Sequence, residues 1–256
     1  MRKTLLRTHL VVIPLALLAL CGSAYALQVQ LDGIVVSATA TISPRALPAS
    51  GEAPVTVGSV TRINSNDGST PPALKQIVFQ FDKHGSIDTK GLPVCTAAKL
   101  ADTTPAQARQ RCKGAIVGEG VGKAEVTMPG RTPIGISSPL TFFNAPPSGG
   151  RPTLIAHAYE TVPTAQTILV PIVVERVKNG RYGYQVKIEL PEIAGGFGAA
   201  TLAKATVGKT WKRGGRTVGY TSASCQGGRL QVHGVITLAD GSFFPGTLTS
   251  PCHVGG

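Results

Sequence analysis

The stretch ILVPIVVERVKNGRYGYQVKIEL, residues 168–190, carries the clearest structural signal in the sequence. Apolar and polar residues alternate on both sides of the dipeptide Asn179-Gly180. Alternation with a period of two is typical of a half-buried strand, and Asn-Gly between two such runs is a strong short-range signal for a β-hairpin. The stretch therefore predicts two antiparallel strands joined by a tight turn. The alternating apolar positions are Ile168, Val170, Ile172, Val174, Tyr182, Tyr184, Val186, Ile188 and Leu190.

The same pattern extends over most of the chain. Strand-like runs recur between clusters of turn-forming residues, with turns expected at Gly214-Gly215, Gly227-Gly228 and Asp240-Gly241. The chain holds 31 Gly and 19 Pro, and its charged fraction of 15% lies below the usual value of about 25%. This composition favours many short strands over helices.

These runs predict an all-β fold. We expect an antiparallel β-sandwich, either Ig-like or a larger single sandwich of about ten to twelve strands. In this interpretation residues 27–256 form one domain. The Pro- and Gly-rich segment 144–152 is also compatible with a linker between two smaller sandwiches, and the sequence leaves that alternative open.

One short helix is expected among the strands. Thr104-Pro105-Ala106-Gln107 matches a capping box with proline at the first helical position. The helix would occupy an insertion between Cys95 and Cys112, which a disulfide would staple.

The first 26 residues predict a signal peptide. Arg2, Lys3 and Arg7 precede an apolar run at 10–20, and Ala24-Tyr25-Ala26 forms an A-x-A cleavage site. Cleavage would leave a secreted or extracytoplasmic chain that begins at Leu27 and has no further segment able to span a membrane. Two alternatives remain: an uncleaved signal that anchors the chain, or a lipid anchor on Cys21, which lies in a lipobox-like sequence.

Four cysteines remain after the signal. An even number of cysteines in an oxidising compartment predicts disulfides, and four cysteines allow three pairings. Nearest-neighbour pairing, Cys95 with Cys112 and Cys225 with Cys252, is the simplest. The second bridge would require the ends of its strands to converge, since alternate strands of a meander lie too far apart for a disulfide.

Charge is segregated along the sequence. The formal net charge is +12, and no acidic residue lies between Glu192 and Asp240. The densest basic segment predicts a hairpin tip able to contact phosphate, carboxylate or sulfate groups, and an exposed tryptophan there could stack on a sugar. We expect an anionic envelope polymer or polysaccharide as partner, and no nucleic acid. The candidate residues are Lys209, Trp211, Lys212, Arg213 and Arg216.

Catalytic and metal-binding signals are weak. Asp82 and His84 lie two residues apart at the end of a predicted strand, with Asp88 beyond Gly85, which gives a weak metal or acid-base candidate. Gly208-Lys209-Thr210 lacks the upstream glycine of a P-loop, and the sequence contains no serine-nucleophile motif. We expect no cofactor.

Several segments resemble a family of uncharacterised exported bacterial all-β proteins. The resemblance covers most of the chain after the signal and is most specific beside the cysteines. It implies export and an all-β fold, and it brings no activity and no catalytic or binding residue. The segments are Ala40-Thr41-Ile42-Ser43-Pro44, Leu47-Pro48, Ala53-Pro54-Val55-Thr56-Val57, Gly91-Leu92-Pro93-Val94-Cys95, Cys112-Lys113-Gly114-Ala115-Ile116-Val117-Gly118 and Ser222-Ala223-Ser224-Cys225.

Two functional hypotheses follow. The first is a non-enzymatic binding or structural module that acts through a basic surface. The second is a secreted hydrolase of polysaccharides, which would need two carboxylates facing one another about 5 to 10 Å apart. The position of the carboxylates in the fold separates the two hypotheses.

Overall fold

A computed structural model describes residues 26–255. The predicted signal peptide, including Cys21, therefore lies outside the described residues except for Ala26. The strands are β1 (Ala26–Leu31), β2 (Ile34–Ser43), β3 (Ala46–Leu47), β4 (Ala53–Ser65), β5 (Leu74–Asp82), β6 (Gly85–Ile87), β7 (Ile116–Val126), β8 (Ile134–Ser148), β9 (Arg151–Glu160), β10 (Gln166–Asn179), β11 (Tyr182–Glu189), β12 (Gly198–Val207), β13 (Thr210–Arg213), β14 (Arg216–Gly219), β15 (Thr221–Ala223), β16 (Arg229–Leu238), β17 (Phe243–Pro251) and β18 (His253–Val254). The helices are α1 (Ala97–Leu100) and α2 (Pro105–Arg111), with 3-10 turns at Lys113–Ala115 and Ala194–Gly196.

Twelve strands form one continuous antiparallel path in the order β1-β2-β4-β12-β7-β8-β9-β10-β11-β5-β16-β17. The two end strands approach one another, and the Leu27 side chain of β1 packs directly over Gly246 of β17. The main sheet is therefore nearly closed and barrel-like.

The all-β antiparallel prediction is confirmed, but the division into two sheets that defines a sandwich is not clear. The predicted hairpin at 168–190 forms β10 and β11, with Val174 opposite Val186 and the turn at Gly180. Segment 144–152 lies within another hairpin of the same sheet, because β8 continues to Ser148 and pairs with β9.

Every neighbouring pair on this path is antiparallel, so the connections fall into two groups at opposite ends. At one end, which we call the loop end, the connections are short: residues 32–33, 66–73, 127–133, 161–165, 190–197 and 239–242. At the other, which we call the capped end, lie the long insertions with β3, β6, both α-helices, β13, β14 and β15.

Both disulfides lie at the capped end and have the nearest-neighbour pairing. Cys95 bonds to Cys112 and Cys225 to Cys252, with Cα–Cα distances of 5.7 and 5.9 Å. Cys225 precedes β16 and Cys252 follows β17, and these two strands are direct neighbours. The strand ends therefore converge as the second bridge requires, and the long connections are tied to the body of the sheet.

The helical insertion packs against the outer face of β8 and β9. Thr104 and Gln107 form the predicted capping box. The insertion buries Leu100 and Ala108 against Phe143 and Ile155. It also covers His157 completely, and the Nε2 of this histidine lies 3.0 Å from both the hydroxyl and the carbonyl oxygen of Thr103.

The interior of the sheet contains two apolar clusters. One, toward the capped end, centres on Phe142, Leu154 and Tyr220. The other joins Ile63 of β4 to Ile77 of β5 and lies toward the loop end. Within residues 26–255, no helix is both long enough and apolar enough to cross a membrane.

The three glycines of β7 have different roles. A Cβ at Gly120 would overlap the carbonyl oxygen of Lys204, and one at Gly118 would lie 2.6 Å from that of Thr206. A Cβ at Gly122 would make only an ordinary contact, 3.6 Å from Leu140. Close approach of β12 therefore requires glycine at Gly118 and Gly120.

We predict that Gly120→Ala lowers the free energy of unfolding by about 2 kcal/mol or more, because the backbone of β12 must move to make room. Denaturant unfolding measures this change. The matched control is Gly122→Ala, for which we expect a change below about 1 kcal/mol. Equal losses for the two variants would contradict the packing of β7 against β12.

The burial of His157 predicts a pH dependence of stability. Removal from water lowers the pKa of this imidazole from its usual 6.5. The unfolded chain then binds a proton more readily than the folded chain, so stability falls as pH drops below about 6.5. The slope due to one group is at most about 1.4 kcal/mol per pH unit.

Unfolding free energies measured between pH 7 and pH 5 test this expectation. The slope should become shallower in His157→Gln and stay unchanged in His253→Gln, since His253 is exposed. A slope that persists in the first variant would show that other groups cause it.

Candidate functional site

The predicted basic segment forms a small hairpin at the capped end. Strands β13 and β14 pair through Trp211 opposite Val218 and Arg213 opposite Arg216. The turn consists of Gly214 and Gly215, both with positive φ, a conformation that glycine adopts without steric cost. The hairpin therefore presents its basic side chains on a tight, well-defined turn.

Arg213 ties the hairpin to the segment that follows β6. Its guanidinium donates to Oδ2 of Asp88 at 2.6 Å and to the carbonyl oxygen of Lys90 at 3.1 Å. The hydrogen bond from Arg213 lowers the pKa of Asp88 and raises that of Arg213. This cation is therefore already partnered within the chain.

Lys209 and Lys212 also have partners. Lys209 donates to the carbonyl oxygen of Gly114, and partial burial lowers its pKa. Lys212 donates to the hydroxyl of Thr217 at 2.7 Å but keeps an exposed side chain. Arg216 is exposed, and no ion pair forms on it within the described part of the chain.

Trp211 is placed differently from the sequence-based expectation of an exposed ring. Its side chain packs against the interior cluster around Tyr220, and its indole N–H is buried without a hydrogen-bond partner among residues 26–255. Trp211 lies on the inward face of the hairpin, where its large apolar ring is removed from water by packing against this cluster. Trp211 therefore anchors the hairpin through the buried part of its ring, and a smaller part of the side chain stays open to solvent.

The fold adds cations that the linear pattern did not reveal. The contacts of Arg213 and Lys209 bring the hairpin against residues 90 and 114. Exposed lysines occupy position 90 and the neighbouring position 113. We call the resulting set the basic surface, and it consists of Lys90, Lys113, Lys209, Lys212, Arg213 and Arg216.

The weak metal candidate does not assemble as three ligands. Asp82 is buried, accepts from Arg181 at 2.8 Å and from the backbone amide of Gln231 at 3.1 Å, and lies 2.9 Å from the imidazole Nδ1 of His84. Asp88 is instead paired with Arg213. Within residues 26–255, no group of three or more His, Cys, Asp or Glu side chains is placed to hold a metal ion.

The two buried carboxylates of the described chain lie far apart in the fold. Asp82 ends β5 at the capped end, and Glu160 ends β9 at the loop end. Asp82 is fully engaged by the contacts above. Glu160 accepts from the amide of Gln166 at 2.6 Å through Oε2, while its buried Oε1 has no partner in the described structure.

Sequence reasoning missed a cavity of about 470 Å³ inside the main sheet. Its walls come from inward-facing residues of all twelve strands and are almost entirely apolar. Glu160 and Tyr220 line it from opposite ends. No local signal announces a cavity, since it depends on how many strands surround the interior and on which small residues face inward.

The chain has no match among known protein families or curated proteins. The two disulfides indicate an oxidising, extracytoplasmic environment.

The anchoring role of Trp211 predicts a graded response to substitution. Trp211→Ala should destabilise the protein by about 2 kcal/mol, less than for a fully buried ring, because it empties the space under the hairpin. Trp211→Phe should lower the free energy of unfolding by less than about 1 kcal/mol, since it keeps an aromatic ring at this position and removes a buried N–H that has no partner. Thermal unfolding of the two variants tests this, and an Ala variant as stable as the Phe variant would contradict the anchoring role.

Proposed function

We propose that this protein is a non-enzymatic, exported binding module that associates with an anionic polymer of the cell envelope through the basic surface. One observation carries the proposal: two exposed lysines of the connection between β6 and β7, Lys90 and Lys113, lie beside the basic hairpin. Asp88, the acidic residue that forms an ion pair with the hairpin among residues 26–255, is neutralised by Arg213.

Electrostatics support this role. Several like charges on one surface raise a local positive potential that attracts polyanions. After removal of residues 1–26 the chain carries 22 basic and 13 acidic residues, a formal charge of +9. Export by cleavage after Ala26 is part of the proposal.

The interior packing supports a flattened, sandwich-like cross-section for the sheet. The cluster toward the loop end joins β4 and β12 to β5 and β11, which lie on opposite sides of the path. A flattened sheet with a fixed cap gives the basic surface a rigid support.

A polysaccharide hydrolase is the weaker candidate. It needs two carboxylates that face one another across a cleft. The two buried carboxylates, Asp82 and Glu160, stand at opposite ends of the sheet. This separation favours the binding module.

A fourfold variant tests the proposal without disturbing the anchors. Lys90, Lys113, Lys212 and Arg216 are replaced by Ser, while Lys209 and Arg213 stay. Binding to an acidic polysaccharide such as polygalacturonate, measured by co-sedimentation at low salt, should weaken at least about tenfold. Affinity of the parent should also fall with salt, since the Debye length shrinks from about 10 Å at 0.1 M to about 3 Å at 1 M.

The matched control removes the same charge elsewhere. It replaces Arg62, Lys75, Arg131 and Lys204, which are exposed and outside the basic surface, by Ser. We expect this variant to bind nearly as tightly as the parent. Equal losses in both variants would mean that net charge alone drives association, and an undiminished affinity of the first variant would refute the proposed surface.

A further inference from the structure

The interior cavity is larger than a packing defect. Protein interiors pack as densely as organic crystals and contain few voids bigger than a water molecule. A cavity of about 470 Å³ instead falls in the range of about 300 to 1,000 Å³ that is typical of small-molecule sites.

The sequence explains why the interior is not filled. Small barrels of about eight strands have an interior that side chains fill, while larger ones enclose cavities. The main sheet has twelve strands. Several inward positions that would need large side chains to fill it are alanines: Ala38, Ala40, Ala156, Ala158, Ala203 and Ala205.

Small residues are concentrated beside Glu160. Ala203 of β12 lies opposite Gly122 of β7, which in turn lies opposite Ser138 of β8. The hydroxyl of Ser138 accepts a hydrogen bond from the backbone amide of Tyr159, the residue before Glu160. A layer of minimal side chains therefore runs across three strands to the buried carboxylate.

Two polar groups that line the cavity lack a hydrogen-bond partner among residues 26–255, the Glu160 carboxylate at the loop end and the Tyr220 hydroxyl at the capped end. Glu160 is the one that can carry a charge for a ligand to meet. It is only 3% exposed, lines the cavity, and has one carboxylate oxygen without a partner among the described residues. A buried polar oxygen without a hydrogen bond lowers the stability of the folded protein, because it has lost its contacts with water. A ligand that donates a hydrogen bond to this oxygen would restore the lost interaction.

The two ends of the cavity differ. The capped end is sealed by the packing of Leu92, Trp211 and Tyr220 into the interior cluster. Among the exposed large apolar side chains of the described residues, Val94 and Val254 lie at the capped end, and four lie at the loop end on its connections or the strand ends beside them. They are Leu31 at 41%, Ile134 at 40%, Phe197 at 48% and Phe243 at 59% exposed.

We propose that the cavity binds a single-chain amphiphile whose head group donates a hydrogen bond, a hydroxyl or an ammonium, to Glu160. The apolar chain enters from the loop end and extends toward Tyr220. An apolar cavity of this kind favours apolar ligands over water. The Glu160 carboxylate favours a head group that donates a hydrogen bond, and it disfavours an anionic head group because like charges repel. The entrance and the head-group site lie at the end of the sheet opposite the basic surface.

Displacement of the neutral dye Nile red from the purified protein tests the site. We expect the dye to bind with a blue-shifted emission and to be displaced by cetylamine and cetyl alcohol at concentrations at least tenfold lower than by palmitate, which has a chain of the same length. In Glu160→Gln the affinity for cetylamine should fall about tenfold or more and that for palmitate should rise. If palmitate displaced the dye from the parent as readily as cetylamine did, the proposed head group would be wrong.

A pair of leucine substitutions locates the ligand. Ala203→Leu places a larger side chain into the cavity beside Gly122 and should weaken dye binding at least tenfold, while Lys204→Leu on the exposed side of the same strand should not. Thermal unfolding of both variants shows whether they are folded. Unchanged dye binding in a folded Ala203→Leu protein would overturn the cavity site. As a further control, the fourfold Ser variant of the basic surface should bind the dye as tightly as the parent does.

Discussion

The pairing of β5 with β11 on one side and β16 on the other holds the structure together. Ile77 of β5 lies opposite both Ile188 and Ile236. The residues that pair are remote in the chain, as the side-chain hydrogen bond between Gln80 and Gln185, 105 residues apart, illustrates. Without this pairing β16 and β17 would separate from the other ten strands of the path, and the interior would open to solvent. The loop-closure entropy of such remote pairs must be offset by the apolar surface that closure buries.

Closure also divides the molecule into two ends with different chemistry. Every long insertion follows a strand that ends at the capped end. Both disulfides and Trp211 hold these insertions against the sheet. The same topology leaves the loop end with short connections and exposed apolar side chains. The basic surface lies at the capped end, whereas the apolar cavity extends from Glu160 at the loop end to Tyr220 beneath the cap. With entry at the loop end, the proposed amphiphile need not interfere with binding of a polymer to the basic surface.

Local signals in the sequence predicted local structure well. The alternation around Asn179-Gly180, the capping box at Thr104 and the disulfide pairing all depend on residues that are near one another in the chain, and each appears in the structure as expected. The near-closure of the sheet could not be predicted, because no short pattern records which strand β5 pairs with. The place of Trp211 was also missed, since a basic, glycine-rich tip looks exposed until the cluster beneath it is known. No sequence pattern marks Glu160, and only the three-dimensional fold shows its unpaired oxygen inside the cavity.

Amide hydrogen exchange along β5 tests the continuity of the twelve-strand sheet most directly. A strand paired on both sides has partners for its consecutive amides. Slow exchange, at the level of global unfolding, is therefore expected at every amide from Gln76 to Phe81. In a fold of two separate sheets with β5 at an edge, alternate amides would face solvent. Alternating fast and slow exchange across these residues would contradict the pairing of β5 on both sides, and uniform protection would support the continuous sheet that surrounds the cavity.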